Sequence, residues 1–267
     1  AAERSEAVNV KFDIGLNKPK TFLNTVFCYQ WLRRGLKMVK DEKNLELRKK
    51  ELSEKYGIDF DKLEKEQINL SKELTIKDKI DFSLAERFGA VDTIFIKNKI
   101  LCCFIVCDKN FEIIDRSYVI EKVKFPYFPG FRSYRELPFM IATFEKLGEK
   151  PEVVFIDGQG IIHPRLGLAS HFGLSTGVPT IGVSNSLIDC KAENEDGADI
   201  LKNGKKIGNV LIVKKGSNPL FISPGNNISI KASYNISKSL IRLPHKNPEP
   251  MYLASKYAKS VKKELMI

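Results

Sequence analysis

Three acidic residues at separate points of the chain, Asp92, Glu136 and Asp157, are the side chains best suited to chemistry. Asp92 lies inside an apolar run, where a buried carboxylate is costly unless it is paired or binds a metal. Clustered carboxylates repel one another unless cations neutralise them, and hard oxygen ligands suit Mg²⁺ or Mn²⁺. Such ions activate water and stabilise the charge that develops on a cleaved phosphodiester. For Asp92 alone, a strand-edge position that faces solvent is the alternative.

A stiff aromatic projection precedes Glu136. It is the stretch Pro126-Tyr127-Phe128-Pro129-Gly130. Its two prolines fix the backbone φ angle and exclude both helix and ladder pairing, so the two rings are held between them. A rigid aromatic wedge beside carboxylates in a basic protein favours a nuclease, and a proline-rich turn between a strand and a helix is the alternative.

Strands and helices are predicted around these residues, and their order along the chain indicates the fold class. Apolar content and alternation predict an antiparallel meander of three strands, then a helix with Pro138 in its first turn, a buried strand that ends at Asp157, a helix and another strand. The predicted ranges are 88–96, 100–107, 113–123, 135–147, 152–156, 168–173 and 179–183. Further along, residues 186–210 are expected to be irregular with a hairpin turn at Asn203-Gly204, and residues 223–227 to be a loop.

This order is that of a ribonuclease-H-like mixed sheet, an α/β fold in which parallel strands follow three antiparallel ones and helices flank the sheet. In that topology the first and fourth strands are parallel neighbours. Asp92 and Asp157 would therefore face each other, and Glu136, near the start of the intervening helix, would reach the same point. The cluster supports a metal site better than any single acid does.

The composition of the chain indicates which class of molecule the protein binds and where it is located. The 267 residues carry a formal net charge of +11, which favours a polyanionic partner, although a ribosome-bound or simply soluble basic protein would show the same balance. The longest apolar runs are too short to span a membrane, and the first residues do not have the pattern of a signal peptide. We therefore expect a cytoplasmic, nucleoid-associated location, or a nuclear one in a eukaryote. The five cysteines lack metal-ligand spacing and are expected to be buried thiols.

The first part of the chain differs from the rest. Residues 26–55 have the pattern of an amphipathic helix with dense charges, and Asp59 or Asp61 is expected to cap another helix. We predict an N-terminal helical extension over 1–57 and a catalytic domain over 58–267. The extension is expected to cover the core or to be an exposed charged helix, with binding of a protein partner as the functional alternative. A monomer is expected.

Several motifs together resemble the Endonuclease V family, the nucleases of the inosine repair pathway. In order, they are Phe125-Pro126-Tyr127-Phe128-Pro129-Gly130, Arg135-Glu136, Asp157-Gly158-Gln159-Gly160, His163-Pro164-Arg165, Gly167-Leu168-Ala169-Ser170-His171 and Pro179-Thr180-Ile181-Gly182-Val183. The resemblance extends from about residue 63 to the end of the chain and leaves residues 1–57 outside.

The resemblance implies a reaction and roles for four residues. Asp92, Glu136 and Asp157 would be the metal-binding acids, with Mg²⁺ as the cofactor and Mn²⁺ as a substitute. His163 would orient water or the scissile phosphate, although a satisfied core histidine is the ordinary alternative. The implied substrate is DNA that contains deoxyinosine. The implied product of cutting the second phosphodiester 3′ to the lesion has a 3′ hydroxyl and a 5′ phosphate.

The same resemblance implies how the base is recognised. The Pro126–Pro129 stretch would fill the gap that remains when hypoxanthine leaves the base stack, and the ring of Tyr127 could replace the lost stacking. The flipped base would enter a tight pocket that rejects an exocyclic amino group. Its predicted lining is Gly130, Gly158, Gly160, Gly167 and Leu168.

Two substrate-contacting positions depart from the family pattern. Asn185 stands where the family usually has lysine, and Asn226 stands where it usually has histidine. Asparagine lacks the point charge that a lysine would bring to a phosphate. Lysines at 191, 202, 205 or 206 are candidates to replace it. The alternatives are therefore an inosine-specific endoribonuclease, or a catalytically weakened binder of inosine-containing or mismatched nucleic acid.

Overall fold

The computed structural model of the chain describes residues 43–214 and 216–266. Two compact units are separated after Lys55. In the first unit, residues 43–55 are helical, as the pattern over 26–55 predicts. The earlier part of that predicted helix, and Cys28 with it, lies outside the described residues. Across the described ranges, no helix has the length and apolar content needed to cross a bilayer.

The second unit is built on a mixed sheet of eight strands among the described residues, in the order β3-β2-β1-β4-β5-β8-β7-β6. The strands are β1 (Phe88–Ile96), β2 (Lys99–Cys107), β3 (Ile113–Lys122), β4 (Val153–Asp157), β5 (Thr180–Ser184), β6 (Asp199–Lys202), β7 (Lys205–Leu211) and β8 (Leu220–Asn226). β1 pairs antiparallel with β2 and parallel with β4, and β4 pairs parallel with β5. This arrangement confirms the predicted ribonuclease-H-like α/β fold.

Helices cover both faces of the sheet. They are α1 (Phe60–Ser71), α2 (Arg132–Glu145), α3 (Leu168–Thr176), α4 (Ile230–Ser239) and α5 (Glu249–Glu264), with a short 3₁₀ turn at Phe82–Leu84. α2 and α3 pack with Phe104 and Val154 on one face, while α4 and α5 pack with Ile105 and Phe155 on the other. Because both faces are covered, β2 and β4 are apolar almost throughout.

Helix caps explain where two of the helices begin. The side chain of Asp59 accepts a hydrogen bond from the Lys62 backbone N–H at 2.9 Å, which confirms the predicted cap of α1. α2 begins at Arg132, so the predicted start at residue 135 is wrong and Pro138 lies in the second turn. No side chain caps this helix. Its start is set by tertiary packing, because the ring of Phe131 packs on Phe60 with centroids 5.1 Å apart.

The segment after β5 is more regular than its sequence indicates. The predicted hairpin turn joins β6 and β7, with positive φ angles of 50° at Asn203 and 74° at Gly204. The predicted loop over 223–227 is wrong for most of its length, because β8 continues through Asn226. Pro224 has no N–H to donate, and the ladder accommodates it opposite Ile181, where the register shifts.

Candidate active site

The strand register brings two of the predicted acids together. Val91 of β1 pairs with Ile156 of β4, so the next residue of each parallel strand is Asp92 or Asp157. Glu136 reaches the same place from α2, and all three acids line one small pocket of about 40 Å³. A space of this size has room for a few water molecules or an ion. The structure therefore gathers the residues that the sequence predicts as a cluster.

The carboxylate of Asp92 is in an environment that opposes its charge. Burial raises the pKa of Asp92, and the negative charge of Asp157 adds to that effect. Three groups act to lower the pKa of Asp92. They are the Ser255 hydroxyl, the Thr93 N–H at 2.9 Å and the Lys259 ammonium. Ser255 and Lys259 both come from α5, the C-terminal helix. A cation beside Asp92 and Asp157 would relieve both the burial cost and the repulsion.

Glu136 is held by a neighbour on its own helix. Its side chain is only 3% exposed, and Arg132 one turn earlier donates to both carboxylate oxygens, from Nε at 2.6 Å and from Nη2 at 3.0 Å. Thr93 Oγ1 donates to the same carboxylate at 3.1 Å. Arg132 also reaches β4, where Nη1 donates to the carbonyl oxygen of Asp157 at 2.9 Å and Nη2 lies 3.8 Å from Asp157 Oδ2.

These contacts bear on which residues suit a metal. Within the part of the chain that the structure describes, no three His, Cys, Asp or Glu side chains are arranged to hold a metal ion. Asp92 and Asp157 nevertheless offer two adjacent hard-oxygen donors whose charges repel, which fits Mg²⁺ or Mn²⁺. Asp157 is accessible, with its side chain 59% exposed. Glu136 has little capacity left for a direct metal bond, because Arg132 and Thr93 already donate three hydrogen bonds to its carboxylate.

A larger cavity of about 350 Å³ adjoins the acid pocket, and Arg132, Asp157 and Leu168 line both. Of the predicted site residues, its lining includes Tyr127, Gly130, Asp157, Gly158, His163, Leu168 and Asn185. Gln159, Leu166, Ser184 and Ile188 are among the other lining residues. Half-exposed Tyr127 therefore lines the same cavity as Asp157 and Asn185.

The remaining predicted residues lie apart from this lining. They are Pro126, Phe128, Pro129, Gly160, Gly167 and Asn226. The ring of Phe128 is buried against Phe60. Gly160 and Gly167 allow close packing of backbone, because a Cβ atom would meet the Pro224 carbonyl at Gly160 and the Gln159 carbonyl at Gly167. The two glycines thus shape the loop behind the cavity.

Asn226 has partners within the protein. It is buried at the end of β8, where its Oδ1 accepts a hydrogen bond from the Thr75 N–H at 2.9 Å. Its own N–H donates to Thr180 Oγ1 at 3.0 Å. The side chain therefore ties the segment after α1 to the sheet.

His163 presents one defined face to the cavity. Its Nδ1 accepts a hydrogen bond from the Arg165 N–H at 3.1 Å, so in the neutral ring the proton is on Nε2. Burial, with a contribution from the charges of Arg165 and Lys202, lowers the pKa of His163 to about 4. At neutral pH, His163 is an uncharged imidazole that can donate one hydrogen bond from Nε2.

One cation reaches the cavity rim from a distant part of the chain. Lys246, just before α5, donates from Nζ to Asn185 Oδ1 at 2.8 Å. Two of the lysines proposed from the sequence have other partners. Lys206 pairs with Asp199 at 2.7 Å, and Lys202 donates to the Pro164 carbonyl at 3.4 Å.

Sequence reasoning did not single out five residues of this site: Thr93, Arg132, Lys246, Ser255 and Lys259. The sequence contains a signal for Arg132, because an Arg four residues before a Glu can form an ion pair on a helix. The signal is usable only once the start of the helix is known. Lys246 had none, because its contact with Asn185 depends on the tertiary fold.

A mixed α/β sheet with paired carboxylates at neighbouring strand ends, beside a cavity, places this protein in the class of α/β nucleases. Comparison with known proteins identifies the family. The family model described as Endonuclease V matches residues 68–256. Endonuclease V of Thermosipho melanesiensis is 38% identical over 204 residues, which cover 73% of this chain and 88% of that protein. The chain belongs to the Endonuclease V family, and it is therefore an endonuclease.

Solved structures agree with this assignment. The crystal structure of Endonuclease V from Bacillus subtilis matches with a TM-score of 0.69 and 30% identity, covering 75% of this chain and 90% of that one. The Endonuclease V of Ciona intestinalis shares the fold, with a TM-score of 0.67 at 23% identity, covering 77% of this chain and 98% of that one. That protein was solved in complex with a 24-mer DNA that contains an inosine followed by a ribo-adenosine.

Proposed function

We propose that this protein is a Mg²⁺-dependent endonuclease that recognises deoxyinosine in DNA and hydrolyses the second phosphodiester bond 3′ to it. The products would carry a 3′ hydroxyl and a 5′ phosphate, as DNA repair requires. One observation carries the proposal: the 350 Å³ cavity and the acid pocket adjoin and share Arg132, Asp157 and Leu168. If the base of a nucleotide occupied the cavity, the phosphate backbone of that nucleotide would lie close to the acids.

The larger cavity suits a flipped base. Its volume is within the range of small-molecule sites. Gly130 and Gly158 add no side chains to its wall, so their backbone groups can approach a ligand closely. Tyr127 stands at its edge, where the ring can occupy the place of the extruded base. The inosine in the DNA bound to the Ciona intestinalis relative supports hypoxanthine as that base.

The acid pocket suits the phosphodiester. Asp92 and Asp157 would hold the metal, which when bound supplies an activated water and neutralises developing charge. Thr93 and Ser255 orient and stabilise the carboxylate of Asp92. His163 offers a neutral Nε2–H donor to a phosphate oxygen or to water, and Lys246 brings positive charge to the rim that Asn185 lines. The positive charge and the hydrogen bonds stabilise negative charge at the phosphate.

The test compares oligonucleotides that carry a single inosine, in DNA, in RNA, and in DNA with a ribonucleotide after the inosine, with matched strands that contain no inosine. Each is incubated with Mg²⁺, with Mn²⁺ or with EDTA. Asp92→Asn is the active-site variant, and Glu121→Gln, on the exposed edge strand β3, is the charge-matched control. Metal-dependent nicking by the wild type and the control, and its loss in Asp92→Asn, would support the proposal.

The same experiment separates the alternatives. Cleavage confined to the RNA or ribonucleotide-containing substrates would make the protein an inosine-specific endoribonuclease. Tight binding to inosine-containing strands without nicking in either metal would make it a binder that has lost the chemistry. Equal nicking of inosine-containing and inosine-free strands would overturn the proposed recognition of the base.

A further inference from the structure

The guanidinium of Arg132 lies where the base-sized cavity and the acid pocket meet, and it lines both. It makes a bidentate pair with Glu136, at 2.6 Å from Nε and 3.0 Å from Nη2. It also donates to the main-chain carbonyl of Asp157 and lies 3.8 Å from that residue's carboxylate. A positive side chain thus already contacts two of the three acids.

The donors on Glu136 leave little room for a metal. Two N–H groups of Arg132 and the hydroxyl of Thr93 donate to its two oxygens, and a carboxylate has about four lone-pair sites. A direct metal bond to Glu136 would have to use the one remaining site, on Oε1 beside the Arg132 Nε donor, or displace a hydrogen bond of Arg132. Arginine cannot give up that hydrogen bond by losing its proton, because the guanidinium stays charged at all relevant pH values.

We infer that Arg132 is a built-in cation that competes with a divalent metal for Glu136 and Asp157 and thereby sets how tightly the acid cluster binds that metal. The inference rests on the metal site of the proposed function. Arg132 is a positioning residue in this role, since it acts through the carboxylates. Its charge also neutralises part of the repulsion among the acids before a metal binds.

The sign of the effect follows from electrostatics. Removing the positive charge of Arg132 makes the electrostatic potential at the acid pocket more negative. The resulting gain in binding energy is twice as large for a divalent ion as for a monovalent one. The change also removes two of the three hydrogen-bond donors on Glu136 and leaves that of Thr93. Arg132→Leu is therefore expected to bind Mn²⁺ about tenfold more tightly than the wild type. Arg132→Lys keeps the charge but loses the planar fork, so its affinity should lie between the two.

The experiment is calorimetric titration of the whole 267-residue chain with Mn²⁺ and no nucleic acid, so that the readout does not depend on cleavage. Asp157→Asn identifies which part of the heat belongs to the acid cluster. Arg135→Leu is the matched control, because Arg135 is on the same helix and instead donates to the Phe125 carbonyl and covers the ring of Phe95. Thermal unfolding of every variant verifies that it is folded.

Tighter Mn²⁺ binding in Arg132→Leu, with Arg135→Leu equal to the wild type, would support the inference. Equal or weaker binding in Arg132→Leu, while the wild type shows binding that Asp157→Asn abolishes, would overturn the inference alone. Mn²⁺ binding that is absent from the wild type, or unaffected by Asp157→Asn, would overturn the proposed metal site and this inference with it.

Discussion

The ammonium of Lys246 donates a 2.8 Å hydrogen bond to Oδ1 of Asn185, so two residues that lie 61 positions apart meet at the cavity rim. The segment that carries Lys246 is firmly placed. His245 pairs with Glu249 at 2.7 Å, and its ring stacks on Tyr252 with centroids 3.5 Å apart. A cation held in this position can contact a phosphate of the bound strand.

Lys246→Ala is expected to weaken binding of nucleic acid to a similar extent for all sequences. A phosphate contact releases a counterion, so its loss should lower the slope of log affinity against log salt by about one. Fluorescence anisotropy in EDTA, across a series of salt concentrations, measures both quantities. Lys122→Ala, on the far edge strand β3, is the control. An unchanged salt slope in Lys246→Ala would exclude this contact.

The wedge predicts opposite effects for two adjacent aromatic residues. Tyr127 is 53% exposed at the cavity, whereas Phe128 is 4% exposed and packs on Phe60. Tyr127→Ala should lose about 1–3 kcal/mol of binding to inosine-containing strands and little stability, because a stacking ring is removed from an exposed position. Phe128→Ala should lose about 3–5 kcal/mol of unfolding free energy, because it leaves a cavity in the core.

Anisotropy and chemical denaturation on the same preparations separate these two effects. The wedge assignment would be wrong if Tyr127→Ala bound normally, or if it unfolded as easily as Phe128→Ala.

His163 predicts a pH dependence of stability. Its pKa is about 4 in the folded protein and about 6.5 when unfolded, so between these values the unfolded chain binds more protons. Stability is therefore lost as the pH falls through this window. Between pH 7 and pH 5 the wild type should lose about 2 kcal/mol more unfolding free energy than His163→Gln does. Denaturant unfolding at the two pH values tests this, and parallel losses would contradict the assigned pKa.

Much of the fold was predictable because it depends on local patterns. The apolar runs of β1, β2 and β4 indicate their strands, and the order of elements then places Asp92 beside Asp157. The start of α2 was not predictable in this way, since the helix has no side-chain cap and the residue before it, Phe131, packs on the distant Phe60. β8 resembles a loop because Ser223, Pro224 and Gly225 disfavour strands, yet pairing with β5 holds that segment in the sheet.

The candidate site likewise has a part that the sequence predicts and a part that depends on tertiary contacts. The acids and the wedge have types and spacings that are visible in the sequence. The partners that control them are not visible, because the pair of Arg132 with Glu136 needs the correct helix start, and Ser255 and Lys259 come from a helix at the end of the chain. Such tertiary contacts determine charge and accessibility, which a list of motifs does not describe.

The most direct test of the central claim is the position and base dependence of the nick. Duplexes that differ only in one base, inosine or adenosine, would be end-labelled, incubated with Mg²⁺ and the wild type or Asp157→Asn, and resolved at single-nucleotide resolution. The account predicts one cut at the second phosphodiester 3′ to inosine, with a 5′ phosphate, and no cut in the adenosine duplex or with Asp157→Asn. Cutting at the same rate in both duplexes, or cutting that survives Asp157→Asn, would contradict it.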